Sequence, residues 1–161
     1  MPRNRKHYKE NKDKVDERNK QYYQKNKKER NEYRKTYERN RKEHDPEYKL
    51  HKNISRSVYG VLKNKKGGQS VLKHLPYTME ELREHIEKQF KIPGNEWMTW
   101  DNYGKYNPKT HKTNRTWNLD HITAHSKFHY KTMDCQIFRD CWALTNLQPL
   151  DSRENLSKGN R

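Results

Sequence analysis

Apolar side chains recur every four residues in the middle of the chain, at Leu50, Ile54, Val58 and Leu62. An α-helix turns once in about 3.6 residues, so this spacing places the four side chains on one face. Asp45 and Pro46 come just before them, and these residue types suit the N-cap and the first turn of a helix. The pattern therefore predicts a helix that begins at residue 46 and buries one side.

A second helix is predicted to begin after Thr78. Glu81 stands three residues further on, which is the spacing of a capping box, and the apolar positions Leu82, Ile86 and Phe90 share one face. The helix should end before the Pro-Gly pair at 93–94. Between the two helices, the Gly-Gly pair at 67–68 marks a boundary, and residues 71–75 form a short apolar piece.

The C-terminal part changes its pattern. Residues 117–122 alternate apolar and polar side chains, which is typical of a strand, and residues 146–150 predict a second short extended piece. Asp151 can cap a last helix, with Glu154 completing a capping box. Another helix is predicted over 134–143, and its expected buried side consists of Ile137, Phe138, Cys141 and Trp142. The fold class is therefore α+β and mainly helical.

Two loop regions precede the first predicted strand. Trp97, Trp100 and Tyr103 are expected to form an aromatic cluster that belongs to the core, and residues 102–114 are polar and turn-rich. Only 28% of the chain is hydrophobic, so it can bury no more than one modest core. All tryptophans and phenylalanines lie beyond position 89, which predicts a C-terminal core.

The first 45 residues form a basic leader with a degenerate repeat: Tyr-Lys-Glu-Asn at 8–11, Tyr-Gln-Lys-Asn at 23–26 and Tyr-Glu-Arg-Asn at 37–40. Helical periodicity places tyrosines, one valine and one histidine of the leader and of the residues just after it on one face: Tyr8, Val15, Tyr22, Tyr33, Tyr37, His44 and Tyr48. We expect one long basic helix, or two, with a tyrosine stripe. Its scarcity of aliphatic side chains leaves open whether it orders without a partner.

The net charge of the chain indicates which class of molecule it binds. The chain has 37 Lys and Arg against 21 Asp and Glu, a net charge of +16, and residues 1–52 alone contribute +9 from 19 basic and 10 acidic side chains. Such a charge points to a polyanion, above all nucleic acid. An anionic membrane would also attract it, but no apolar stretch is long enough for a membrane span or a signal peptide. We therefore expect a soluble intracellular protein, with its two cysteines reduced.

One group of polar residues suits phosphodiester hydrolysis, which needs a base for water and a cation for the phosphate. Asp120 offers a hard oxygen ligand for Mg²⁺, His121 can act as a general base, and Asn155 offers a second oxygen ligand. Adjacent strand residues point to opposite faces. Asp120 and His121 can therefore share a site only if the strand ends or twists there.

Three segments carry a family resemblance: Asp-His-Ile at 120–122, Asn-Leu-Gln-Pro-Leu at 146–150 and Glu-Asn-Leu-Ser-Lys-Gly at 154–159. Together they resemble the HNH, or ββα-metal (His-Me finger), endonucleases. The resemblance implies that His121 is the general base and that Asn146 braces the loop and orients this histidine. It further implies that Asp120 and Asn155 hold one Mg²⁺ or Mn²⁺ ion.

The variant that the chain resembles is the phage type with Asn at the third motif position. Segments 85–90 and 100–104 are similar to that group too, so the resemblance covers roughly residues 75–161. It implies a C-terminal ββα-metal module that nicks one DNA strand per site and leaves a 5′-phosphate and a 3′-hydroxyl; a bacterium or a virus-infected host cell is the expected setting. Double-strand cleavage would need a dimer or two visits, and the oligomeric state stays open.

Two departures from the family stand out. Asp151 and Glu154 occupy positions where many members have zinc-binding cysteines, so no structural zinc is expected. The loop after the base reads Thr-Ala-His at 123–125, where members of the family commonly have a proline. Another possible zinc site combines His125 and His129 with the two cysteines, but its spacing fits no strong zinc pattern. A non-catalytic DNA- or RNA-binding protein on a degenerate HNH fold is the alternative function.

Three segments are thus expected: a helical leader at 1–45, a helical region at 46–92 and an HNH nuclease module at 93–161. The partner is DNA, with no membrane. Leader cations would contact phosphates, unless the leader is only a solvated segment, and Lys158 would contact a phosphate near the site or lie at a solvated helix end. The candidate DNA-binding residues are Lys158, Arg34, Lys35, Arg39, Arg41 and Lys42.

Overall fold

The computed structural model describes residues 11–62 and 68–159, and it is mainly helical with one two-stranded sheet. The helices are α1 (Lys12–His44), α2 (Pro46–Val61), α3 (Met79–Phe90), α4 (Gln136–Cys141) and α5 (Ser152–Lys158). The strands are β1 (Trp117–His121) and β2 (Leu147–Asp151). Short 3₁₀ turns occur at Val71–Lys73, His125–Lys127 and Leu144–Asn146. The predicted α+β, mainly helical class is confirmed.

The chain divides into two compact units, residues 1–44 and 45–161. In the first unit, α1 is a single helix of 33 residues with no buried side chain. This confirms a long basic helix over 12–44. The predicted start of the leader, including Tyr8, lies outside the described residues, as does Gly67 of the predicted Gly-Gly boundary.

Both predicted helix starts in the second unit are confirmed. The side chain of Asp45 accepts a hydrogen bond from the Tyr48 backbone N–H, at 2.8 Å, and Pro46 opens α2. A full capping box joins Thr78 to Glu81 at the start of α3. Each cap satisfies backbone donors that the first helical turn leaves without a partner.

The core lies in the second unit and is not confined to the part beyond position 89, because it begins at Leu50, on the predicted buried face of α2. It contains the predicted apolar faces of α2 and α3, the side chains of Val71 and Leu75, and residues from the C-terminal part. Trp117 is fully buried at its centre, with the rings of Phe90, Trp100 and Tyr103 between 4.8 and 5.4 Å from its own. The aromatic loop cluster therefore anchors the first strand.

The two strands pair antiparallel, and α5 follows directly after the second one. Asp120 lies opposite Gln148 and His121 opposite Leu147. His121 is the last residue of β1. Asp151 is the last residue of β2 and also the N-cap of α5, because its carboxylate accepts from the backbone N–H groups of Arg153 and Glu154. The helix α4 lies in the connection between the strands, and α5 returns to the end of β1 through the contacts of Lys158 with Asp120 and His121.

Two details of the sequence-based prediction are wrong. Ile137 is 47% exposed, whereas Phe138, Cys141 and Trp142 are buried as expected. The helix has only six residues, and Ile137 lies about 100° away from Phe138 around its axis. The reciprocal bond of the capping box at α5 is also missing: in the described part of the chain, the Glu154 side chain does not return to the Asp151 backbone.

None of the described helices combines the length and the apolar character needed to cross a membrane.

Candidate active site

Asp120 is a buried carboxylate near the end of β1, with 7% of its surface exposed. Its Oδ2 atom accepts a hydrogen bond from Gln148 Nε2, at 2.8 Å, and lies 2.7 Å from Lys158 Nζ. Gln148 is its partner across the strands, so the bond follows from the register of the sheet. The carboxylate is therefore fixed from two elements, β2 and α5.

Lys158 joins α5 to the end of β1. Besides the carboxylate of Asp120, its ammonium donates to the backbone carbonyls of His121, at 2.5 Å, and Ile122, at 3.2 Å. The ammonium of Lys158, which the sequence analysis predicted to contact a phosphate, thus donates to three oxygens of the protein. The predicted phosphate contact stays a prediction, and it would require Lys158 to exchange these partners.

His121 lies at the junction between the strand and the following loop. Its ring is stacked on His125, with centres 4.9 Å apart, and meets the edge of Trp142 at 4.6 Å. Burial, and secondly the neighbouring His125, lower the pKa of His121 to about 4, although Asp120 acts in the opposite direction. The imidazole is therefore neutral at pH 7 and has a lone pair available.

One nitrogen of this imidazole has no partner in the structure. Nε2 of His121 is buried and forms no hydrogen bond with any described residue. Buried polar atoms usually have a partner in the protein or in ordered water. An atom of this kind suits a site where a water or a substrate atom completes the hydrogen bonding.

The sequence did not predict the hydrogen bonds that hold His125, the ring on which His121 stacks. Both nitrogens of His125 are engaged: Nδ1 with Ser57 Oγ, at 3.0 Å, and Nε2 with the hydroxyl of Tyr130, at 2.7 Å. These bonds fix the ring against which His121 stacks. Ser57 lies on α2, one turn from Asn53. In the sequence, only this pair of polar residues beside the apolar face of the helix could have indicated that α2 contacts the site.

Asn146 holds the loop that follows His121. Its Oδ1 accepts from the Thr123 backbone N–H at 2.8 Å, and its Nδ2 donates to the carbonyl of Cys141 at 2.9 Å. Its own carbonyl accepts from the Ile122 N–H, also at 2.8 Å. The side chain is buried, so these bonds face little competition from water. Asn146 thus holds the loop after His121, while its role in orienting this histidine stays a prediction.

Asn155 projects from α5 towards the same region. It lines a pocket of about 290 Å³ together with His121 and Trp142, and polar side chains of Asn53, Ser57 and Asn118 complete part of the wall. No described residue forms a hydrogen bond with the Asn155 side chain. Its amide is thus available to a ligand, and α2 contributes a wall that the sequence did not predict.

The donor set fits a hard divalent cation. Asp120 supplies a carboxylate and Asn155 an amide oxygen, and oxygen donors suit Mg²⁺ and Mn²⁺. Asn155 lines the pocket that contains His121, whereas Asp120 is not among the described residues that line it. Within 11–62 and 68–159, no three His, Cys, Asp or Glu side chains form a group that could hold a metal. An ion at this site would therefore depend on Asp120, on Asn155 and on oxygens from water or substrate.

The other predicted nucleic-acid contacts belong to the first unit. They lie on α1, where none of the side chains is buried: Arg34, Lys35, Arg39, Arg41 and Lys42. Lys35 pairs with Glu32 at 2.7 Å, an exposed contact that water screens strongly.

Comparisons with known families, with curated proteins and with solved structures find no match to this chain.

Proposed function

We propose that this protein is a metal-dependent DNA endonuclease of the HNH type, which hydrolyses one phosphodiester bond per site. One observation carries the proposal. Three segments far apart in sequence meet at the end of β1: Asn146 holds the loop after His121, and α5 brings Asn155 to the His121 pocket. Lys158, one helical turn further on, reaches Asp120.

The antiparallel pairing of β1 with β2 and the position of α5 directly after β2 support the same proposal, with α4 lying in the connection between the strands. In a ββα-metal module, two antiparallel strands and a helix hold the base and the metal ligands. Here β1 carries Asp120 and His121, and α5 carries Asn155. Asn146, in the turn before β2, bonds to the Thr123 N–H and to the Cys141 carbonyl, which supports its assignment as the middle motif residue.

The proposed chemistry assigns one task to each residue. The neutral imidazole of His121 takes the proton of a water that attacks the phosphorus. Asn146 keeps the loop, and with it His121, in a fixed geometry, which lowers the entropic cost of the step. Gln148 orients the Asp120 carboxylate through its 2.8 Å hydrogen bond.

Asp120 and Asn155 would hold a single Mg²⁺ or Mn²⁺ ion. When bound, such an ion supplies positive charge to the phosphate and to the departing 3′-oxygen. The family resemblance implies products with a 5′-phosphate and a 3′-hydroxyl. One site cuts one strand, so a monomer nicks duplex DNA.

One observation favours a non-catalytic alternative. The ammonium of Lys158 already neutralises the Asp120 carboxylate at 2.7 Å, as it would in a fold that binds nucleic acid and no longer recruits a metal. The two functions differ in their dependence on metal. A nuclease needs the ion to cut, whereas a binding protein retains its affinity for DNA in chelator and never cuts.

The test is plasmid nicking by the full chain. Supercoiled plasmid is incubated with the purified protein in Mg²⁺, in Mn²⁺ or in excess EDTA, and DNA binding is followed in parallel by gel shift. We expect open-circular product with the metals and none with EDTA. Asp120→Asn, which removes the charge and keeps the shape, should lose nicking at limiting metal. Binding without any nicking in either metal would contradict the nuclease and leave the binding protein.

A further inference from the structure

Four tyrosines form an exposed surface on α1, which we call the tyrosine face: Tyr22, Tyr23, Tyr33 and Tyr37. Their exposed fractions range from 49% for Tyr37 to 73% for Tyr33. Large rings are usually at least partly covered, because apolar area in water is unfavourable. An entire set of open rings on one helix therefore indicates a surface that binds something.

The rings share one side of the helix. At about 100° per residue, the four Cα positions fall within an arc of about 100°. With a rise of about 1.5 Å per residue, they extend over about 22 Å. Tyr33 and Tyr37 are nearly parallel, with centres 6.4 Å apart and an interplanar angle of 20°. Tyr22, Tyr23 and Tyr33 line one shallow depression with Asn26 and Arg30.

Cations surround these rings. The helix has 13 Lys and Arg against 7 Asp and Glu, a net charge of +6. The guanidinium of Arg30 lies 5.7 Å from the centre of the Tyr23 ring, so charge and aromatic face are presented together. A ligand that satisfies both features needs regularly spaced negative charges and flat π surfaces.

Single-stranded nucleic acid has both. In a duplex the flat faces of the bases are covered by their neighbours, whereas unpaired bases can stack on aromatic side chains while the backbone meets cations. A second copy of the helix would instead bring one +6 surface against another, with Val15 as the only aliphatic side chain of either helix to pack. Charge complementarity thus favours the polyanion.

We propose that the tyrosine face binds single-stranded DNA by stacking on unpaired bases, while the lysines and arginines around it contact phosphates. Neither contact uses a 2′-hydroxyl. The choice of DNA over RNA rests on the proposed function, but the stacking itself does not. Binding of this kind would place the nuclease unit on DNA that has a single-stranded segment.

The test measures the affinity of the full chain by fluorescence anisotropy, in EDTA so that no cleavage occurs. The probes are an oligothymidine of about 15 nucleotides, an abasic strand of the same length and charge, a duplex and an oligouridine. Stacking is commonly worth about 1–3 kcal/mol per base, so the double variant Tyr33→Ala/Tyr37→Ala should lose about tenfold or more on oligothymidine. Its affinity for the abasic strand should not change.

Two controls separate stacking from other effects. Tyr33→Phe/Tyr37→Phe keeps the rings and should bind oligothymidine within about twofold of wild type. Tyr59→Ala removes a tyrosine of α2 that is also 49% exposed, and as a control it should keep the wild-type affinity for oligothymidine. Equal losses on the abasic strand would overturn stacking. Tighter binding of oligouridine would overturn DNA as the ligand. A dimer that the alanine variant dissociates, seen by sedimentation, would assign the face to a second copy.

Discussion

The ammonium of Lys158 lies 2.7 Å from Oδ2 of Asp120, the carboxylate that we propose as a metal ligand. The same ammonium donates to the carbonyl of His121. A lysine in this position is an internal counter-ion, because it offsets the charge of a carboxylate that is 7% exposed. The ammonium of Lys158 also repels a metal ion that approaches the carboxylate of Asp120.

Lys158→Met should therefore bind Mn²⁺ about tenfold or more tightly than wild type. Two charges about 4 Å apart interact by several kcal/mol at the dielectric typical of a protein surface, and about 1.4 kcal/mol is already a factor of ten. Isothermal titration of Mn²⁺ into the free protein measures the change. Lys112→Met, at an exposed lysine in the 102–114 loop, is the control and should leave the affinity as it is. Unchanged or weaker binding by Lys158→Met would refute the counter-ion role.

The loop after His121 should depend on Asn146. Asn146→Ala removes the acceptor for the Thr123 N–H and the donor to the Cys141 carbonyl. Leaving the buried Cys141 carbonyl unpaired costs about 1–3 kcal/mol, and the lost bond to the more exposed Thr123 N–H adds to it, so we expect a loss of at least about 1 kcal/mol in the free energy of unfolding. Urea titration followed by tryptophan fluorescence measures it. The exposed Asn114→Ala should change stability by less than about 0.5 kcal/mol, and a similar small effect at Asn146 would show that the loop does not need this side chain.

The caps, the two apolar helical faces and both strands could be predicted from sequence because their signals are local. A cap such as Thr78 with Glu81 involves residues three positions apart, and strand alternation involves neighbours. The site differs in this respect. Ser57 meets His125 across 68 positions, and Lys158 meets Asp120 across 38, so both contacts depend on how the elements pack. The three-part motif predicted the site residues, yet it held no information on the wall supplied by α2.

Irregular segments were also hard to predict. Tyr130 and Met133 are buried although they lie in a stretch without helix or strand, where no periodicity marks the buried side. Ile137 shows the opposite case, an apolar residue that a six-residue helix leaves exposed. Composition predicted a small core, and only the fold decides which apolar residues enter it.

The neighbours Ile137 and Phe138 offer a matched test of that core. Phe138 is fully buried and touches the rings of Tyr130 and Trp142, with centres 5.1 and 6.4 Å away. Phe138→Ala should cost about 3–5 kcal/mol of unfolding free energy, the usual range for a buried phenylalanine. Ile137→Ala should cost less than about 1 kcal/mol, because the side chain is half exposed. Equal losses in urea titrations would contradict the position of α4.

Asp151 should make the stability of the second unit depend on pH. Burial acts to raise the pKa of its carboxyl, but hydrogen bonds from Arg115 and from the N–H groups of Glu154 and Arg153 outweigh it and leave the pKa below its usual value. Because the folded pKa is lower than the unfolded one of about 3.9, the ionised group stabilises the fold above that pH. The contribution is lost as the pH falls through the folded pKa.

Asp151→Asn isolates this effect, since asparagine caps helices as well as aspartate does but carries no negative charge beside Arg115. At pH 7 we expect the variant to be less stable by about 1.5–3 kcal/mol, the range for hydrogen bonds to a charged group. The difference from wild type should shrink as urea titrations are repeated from pH 5 down to about pH 3. A difference that stays constant over this range would show that the charge of Asp151 does not stabilise the fold.

The most direct measurement of the proposed function compares single-turnover nicking by wild type, His121→Ala and His129→Ala. His129 is an exposed histidine eight residues away and serves as the matched control. A general base commonly contributes about 10²-fold or more to the rate and little to ground-state binding. Plasmid is incubated with excess protein and saturating Mn²⁺, and DNA affinity is measured for each variant. We expect that His121→Ala binds DNA like wild type and nicks at least about a hundredfold more slowly, while His129→Ala nicks at the wild-type rate. A His121→Ala protein that keeps more than about a tenth of the wild-type rate would show that His121 is not the general base of a nuclease site.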